Sequence, residues 1–178
     1  MRTFIIRLVT PIILLSACNF PRLRQPFPPA ESPQDYLSTE CAFVWANEPL
    51  PELSDDFNES MKAIHPNVEG YAQAYGENCV TNEGEVVRFL AMETDYHITF
   101  KVDNLGDKKM LGNYIEEIMS VLTEFPPDET PGPQPGYIGI TFEAQKEELR
   151  LWFTQTEAQT AIDDGLQGKA LFDALSER

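Results

Sequence analysis

The chain has 178 residues, and its 29 Asp and Glu outweigh 13 Lys and Arg to give a net charge of −16. An acidic surface repels phosphate backbones and anionic headgroups, which excludes nucleic acid as a partner and leaves basic partners, cations and neutral ligands open. With only His65 and His97 as histidines, a histidine-rich metal site is excluded too.

The amino terminus sets Arg2 and Arg7 around an apolar run, Phe4 to Ile6 and Leu8 to Leu15, that closes on Leu15-Ser16-Ala17-Cys18. A basic start, an apolar core of about 7 to 15 residues and small residues before a cut are the parts of a secretory signal. The run falls well short of the roughly 20 residues that span a bilayer. Leu-Ser-Ala-Cys resembles the lipobox of bacterial lipoproteins. The resemblance covers only the first 18 residues and carries no activity with it. It implies that residues 1–17 are removed and that the Cys18 thiol receives diacylglycerol. The acyl chains would then hold the protein on the extracytoplasmic face of a bacterial membrane, each buried CH₂ contributing about 0.8 kcal/mol.

After Cys18 come Pro21, Pro26, Pro28, Pro29 and Pro33, which deny the segment both helix and ladder donors. Residues 18–35 therefore read as a tether, which in polyproline II form, at about 3.1 Å per residue, reaches up to about 50 Å. Residues 36–178 are a normal size for one domain. With Cys18 acylated and the chain exported, as the resemblance implies, Cys41 and Cys79 are left as the one intramolecular pair, in a compartment where disulfides persist.

Phe57, Met61, Ile64, Val68, Tyr71 and Tyr75 recur at steps of three and four. That spacing predicts a helical stripe from an N-cap at Ser54 to a stop at Gly76, kinked at His65-Pro66 because proline cannot donate its backbone bond. Residues 85–92 and 95–102 follow. Tyr96, Ile98, Phe100 and Val102 alternate with polar neighbours, the period of a half-buried strand. A turn at Glu93-Thr94 would set Ala91 against Tyr96, Phe89 against Ile98 and Val87 against Phe100, all on one side. A helix starting within 103–107 then carries Leu111, Ile115, Ile118, Met119, Leu122 and Phe125, and the proline-rich stretch 126–136 ends it. In a second hairpin, Ile138, Ile140 and Phe142 oppose Phe153, Leu151 and Leu149 about a turn at Gln145-Lys146. Thr154 or Thr156 caps a closing helical region, broken near Gly165 and resumed through Leu166, Leu171, Phe172 and Leu175.

The expected fold is α+β: a two-layer domain with a four-stranded antiparallel sheet made of two hairpins, each followed by a helix, and a kinked N-terminal helix in front. Its order of elements is similar to that of small chaperone-like α+β folds, a likeness that carries no function.

Catalytic signatures are absent from the sequence. There is no His-x₃-His, Cys-x₂-Cys or HExxH spacing for zinc, no Gly-x-Ser-x-Gly elbow and no Ser-x-x-Lys. Gly132, Gly136 and Gly139 stand among prolines and suit a loop, not a phosphate cradle. Asp103, Asn104 and Asp107 lack the spacing of a calcium loop. The acidic pairs Asp55-Asp56, Glu116-Glu117, Glu147-Glu148 and Asp163-Asp164 read as solvated surface. No cofactor is expected.

The outward side of the two hairpins is more informative. Alternation sends Arg88, Leu90, Met92 and His97 outward from the first, and Tyr137, Arg150 and Trp152 from the second, with Trp152 opposite Gly139. An apolar, aromatic patch edged by arginines on an acidic domain is a candidate recognition surface, unless the first helix or the segment Cys41-Ala42-Phe43-Val44-Trp45-Ala46 covers it. The expected function is thus a non-enzymatic binding or accessory role for a lipid-anchored envelope protein, presented to a protein or envelope ligand. The rival expectation is a hydrolase of envelope polymers built on two carboxylates, which would show them converging in a cleft.

Overall fold

The structure is a computed structural model, and it describes residues 41–177. The signal segment, Cys18 and the tether lie outside these residues. In chain order the elements are β1 (Ala42–Pro49), α1 (Pro51–Ile64), β2 (Val68–Val80), β3 (Val86–Lys101), α2 (Lys108–Leu122), β4 (Gln134–Ala144), β5 (Glu147–Thr154), α3 (Gln155–Asp163) and α4 (Gly168–Ser176).

The fold is α+β, with one curled sheet in the order β1-β2-β3-β4-β5. Neighbours are antiparallel except β3 and β4, which run parallel. Parallel neighbours need a long crossover, and α2 supplies it. The expected four-stranded, wholly antiparallel sheet is thereby corrected to five strands with one parallel pair.

Two further corrections explain that difference. The predicted kinked N-terminal helix is a helix and a strand: α1 ends at Ile64 with His65 as its C-cap, and Val68 begins β2. Ser54 lies inside α1 and is not its cap; its Oγ accepts from Ala72 N at 2.9 Å and donates to Ala72 O at 3.0 Å, pinning the helix to β2. The predicted turn at Glu93-Thr94 is no turn. β3 runs straight through it for 16 residues and pairs with β2, not with itself. The reversal sits earlier, at 81–85, where Thr81 Oγ1 accepts from Glu83 N and Glu85 N, and Gly84 takes φ 88°.

The second hairpin matches its expected register: Ile138 faces Phe153, Ile140 faces Leu151, Phe142 faces Leu149, and Gly139 faces Trp152. Gln145 carries the turn at φ 55°. Asp107 caps α2, its carboxylate accepting from Met110 N at 3.0 Å. Thr154 and Glu157 form a reciprocal capping box on α3, which satisfies two otherwise orphaned donors.

The four helices of the described residues pack on one face of the sheet. Phe57 and Met61 of α1, Leu111, Ile115 and Ile118 of α2, Ala158 of α3, and Leu171 and Phe172 of α4 meet Ala72, Tyr96, Ile98, Phe100, Ile138, Ile140 and Phe142 in one buried cluster. Tyr96 is buried there with its hydroxyl lacking a partner among the described residues. A buried hydroxyl without a hydrogen bond is a cost, so Tyr96→Phe is expected to hold stability or raise it by up to about 1 kcal/mol. A loss of more than that in chemical denaturation would mean the hydroxyl has a structural role.

Cys41 and Cys79 are bonded, with Cα atoms 5.3 Å apart. Cys79 faces Phe43 across the β1–β2 ladder, so the bond joins residues on one side of the sheet, two positions out of register. No helix among the described residues is long and apolar enough to cross a membrane.

Candidate functional site

The helices leave the other face of the sheet uncovered by any described element. The segment that could have covered it, 41–46, runs from Cys41 into edge strand β1 of the same sheet, and α1 packs on the opposite side. Trp45, Tyr71 and Trp152 are each more than half exposed.

The register arranges this face in rows. One row crosses four strands as Tyr71, His97, Gly139 and Trp152. The Tyr71 and His97 rings stack with centroids 4.6 Å apart, His97 meets Trp152 at 5.4 Å, and Trp152 stacks on Tyr137 at 5.3 Å. Gly139 makes this row work: a Cβ there would meet Trp152 Cζ3 at 2.5 Å, so only glycine lets the indole lie flat across β4. A neighbouring row holds Asn47, Tyr75 and Glu93, and Gln73 faces Asp95. Trp45 stacks on Tyr75 at 5.3 Å.

Between the Trp45–Tyr75 and Trp152–Tyr137 stacks lies an open trough of about 470 Å³, lined by Asn47, Gln73, Tyr75, Glu93, Asp95, Tyr137 and Trp152. A second hollow of about 300 Å³ adjoins it beyond Trp152, with Tyr71, His97, Thr99, Thr141 and Arg150 in its walls. On the helical side, a hollow of about 360 Å³ between the end of α2, the proline-rich loop and α3 has no titratable lining residue.

Glu93, Asp95 and His97 alternate along β3 and all point to the open face. Asp95 is buried, with Oδ1 accepting from Tyr137 N at 2.8 Å. Burial raises its pKa, opposed by that hydrogen bond and by His97. Glu93 is also raised, by burial first and then by the Asp95 charge. Burial lowers the His97 pKa, and Asp95 works against it. Gln73 Nε2 lies 3.0 Å from His97 Nε2, which suits a neutral imidazole protonated on Nδ1 and accepting from the amide.

These directions fix a sign. A carboxylic acid whose folded pKa is raised favours the fold in its protonated form, and that advantage disappears as pH rises from the ordinary value near 4 through the folded one. Glu93→Gln with Asp95→Asn, which keeps an acceptor for Tyr137 N, is expected to raise the thermal midpoint at pH 7 and leave it unchanged near pH 3. A lower midpoint at pH 7 would contradict the burial of these charges.

Of the residues expected on the binding face, His97, Tyr137, Arg150 and Trp152 come together in one patch. Arg150 is exposed and paired with Glu148 at 2.9 Å. Arg88 and Leu90 lie on the same side of β3, opposite Cys79 and Glu77, nearer the disulfide end, while Met92 is the extra residue of a β-bulge. Trp45, Asn47, Tyr71, Gln73, Tyr75, Glu93 and Asp95 complete the face and were not expected there. Their signal is the alternation of Tyr71, Gln73 and Tyr75 with Gly70, Ala72, Ala74 and Gly76, a period of two hidden under aromatic spacings of three and four. Among the described residues no group of three His, Cys, Asp or Glu is placed to hold a metal ion.

No family model matches the chain, and neither the curated proteins nor the solved structures contain a significant match to it.

Proposed function

We propose that the protein is a lipid-anchored binding domain of the bacterial cell envelope, held at the membrane through Cys18 and engaging an envelope protein or ligand through its open sheet face without catalysing a reaction. The observation that carries this reading is the row of rings Tyr71, His97, Trp152 and Tyr137 on a face that no described element covers. An apolar, aromatic sheet face of this extent is costly to leave in water, and partners bind where such rings gather. The Cys41–Cys79 bond supports the export half, because disulfides persist outside the reducing cytosol. The tether supports the anchor half, since reach serves a domain whose partner stands away from the bilayer.

Glu93 and Asp95 favour a second reading, the envelope hydrolase. Both carboxylates sit in one hollow with raised pKa values. Acid–base work needs two groups whose environments push them apart, placed on opposite sides of the bond to be cut. Here both are pushed the same way and project from one strand on one side, so binding is the stronger reading.

The test has two parts. Mass spectrometry of the native protein is expected to find acylated Cys18 at the mature amino terminus; residues 1–17 retained with an unmodified thiol would remove the anchor. Cross-linked partners recovered from cells are expected to be lost with Trp152→Ala, and identical recovery would remove the face.

A further inference from the structure

Among the described residues, no lysine or arginine pairs with the two carboxylates of the trough. Three ion pairs join described residues, Lys108–Asp173, Lys169–Asp173 and Arg150–Glu148, and none includes Glu93 or Asp95. Asp95 is buried, and both it and Glu93 lie within a wall of rings on a chain of net charge −16. Ionised carboxylates held partly out of water are costly unless a positive charge meets them. Aromatic faces add attraction for ammonium and guanidinium groups, most when these are desolvated. The complement to this surface is therefore positive.

We propose that the trough receives lysine or arginine side chains of a basic polypeptide, with the aliphatic stem against Tyr75 and Trp152 and the cationic head at Glu93 and Asp95. This rests on the sheet-face reading above and names its partner class. A long basic side chain suits the site because its stem covers apolar surface while its head stays polar. The adjoining hollow beyond Trp152, walled by Tyr71, His97 and Thr141, gives the next side chain of an extended segment a place to rest. A polypeptide fits such paired hollows better than a lone small cation. Burial disfavours the charged form of His97, which limits the opposing charge in the floor.

The chain contains two tryptophans, Trp45 and Trp152, and both flank the trough, so intrinsic fluorescence reads this site directly. Titrating the full chain with hexalysine amide is expected to change that fluorescence saturably. Glu93→Gln with Asp95→Asn should weaken binding about tenfold or more, the size of one desolvated cation–ring and carboxylate contact. Asp55→Asn with Asp56→Asn, on the exposed side of α1, removes equal charge and should change it less than about twofold. Equal weakening by the two pairs would show diffuse attraction and overturn the proposal, as would the absence of any response. A response to the neutral glycan chitotetraose but not to hexalysine, lost in Trp152→Ala, would overturn the basic partner while leaving the face intact. No response to either probe, together with unchanged cross-linked partners in Trp152→Ala, would remove the face as well.

Discussion

Breaking the Cys41–Cys79 bond by a Cys41→Ser, Cys79→Ala double substitution is expected to cost about 3 to 4 kcal/mol, the loop entropy that a closure of this length withholds from the unfolded chain. The loss should also be uneven. β1 is an edge strand in which seven of eight residues are exposed, so little apolar burial holds it; what remains is the ladder to β2, the Trp45–Tyr75 stack and the bond itself. At its other end the chain is secured by Leu50 N donating to Ala72 O and by Ser54 bridging the same residue. Amide exchange should therefore rise first along β1 and the facing half of β2, while β3, β4 and α2 keep their protection. An unchanged denaturation midpoint, or exchange that rises equally everywhere, would contradict this account.

Gly112→Ala sets two effects of opposite sign against each other. Glycine in a helix interior costs about 1 kcal/mol relative to alanine, so propensity alone makes the substitution stabilising. Gly112, however, is buried where α2 meets the start of α4, and a Cβ there would stand 1.8 Å from Gly168 O. The atom it meets is backbone, on a residue fixed at φ 50° whose N–H donates to Glu116 Oε1 at 2.7 Å. It cannot turn aside as a side chain would. Overpacking of this kind costs roughly 1 to 3 kcal/mol and at such a site lies at the upper end, so a net loss of about 2 kcal/mol is expected. A variant more stable than the parent in chemical denaturation would show that α4 yields freely.

Much of the helical layer was legible in the sequence because its signals are local. Asp107 and Thr154 cap where side-chain chemistry suits them, and the apolar stripe of α2 is buried at Leu111, Ile115, Ile118, Met119 and Leu122. The second hairpin was legible for the same reason, since both strands and their two-residue turn lie within one short window. Around β2 and β3 the signals misled for physical reasons. Val68, Tyr71 and Tyr75 fall at helical spacing, yet Tyr71 and Tyr75 point away from the core, which Ala72 and Ala74 fill instead. Small residues facing large ring-bearing helices give a weak apolar pattern, and the outward rings overwhelmed it.

Met92 produced the other misreading. A two-residue turn at Glu93-Thr94 and a single extra residue in a continuous strand flip the inward and outward positions in the same way. Alternation alone therefore cannot tell a hairpin from a bulge. This is also why Arg88, Leu90 and His97 lie on the outward side, as alternation predicts, although β3 pairs with β2 and not with itself. The site's polar half escaped notice because Glu93 and Asp95 gain their surroundings only when Tyr137 arrives on the parallel neighbour β4, across the α2 crossover.

The central claim is that the open sheet face, and not the helical layer, meets the partner. Photo-reactive residues placed singly at Tyr71 and at Glu59, exposed on opposite layers of the full chain, test it in the native membrane. The account predicts covalent adducts to an envelope component from position 71 and none from position 59. Adducts from position 59 alone, or equally from both, would contradict it.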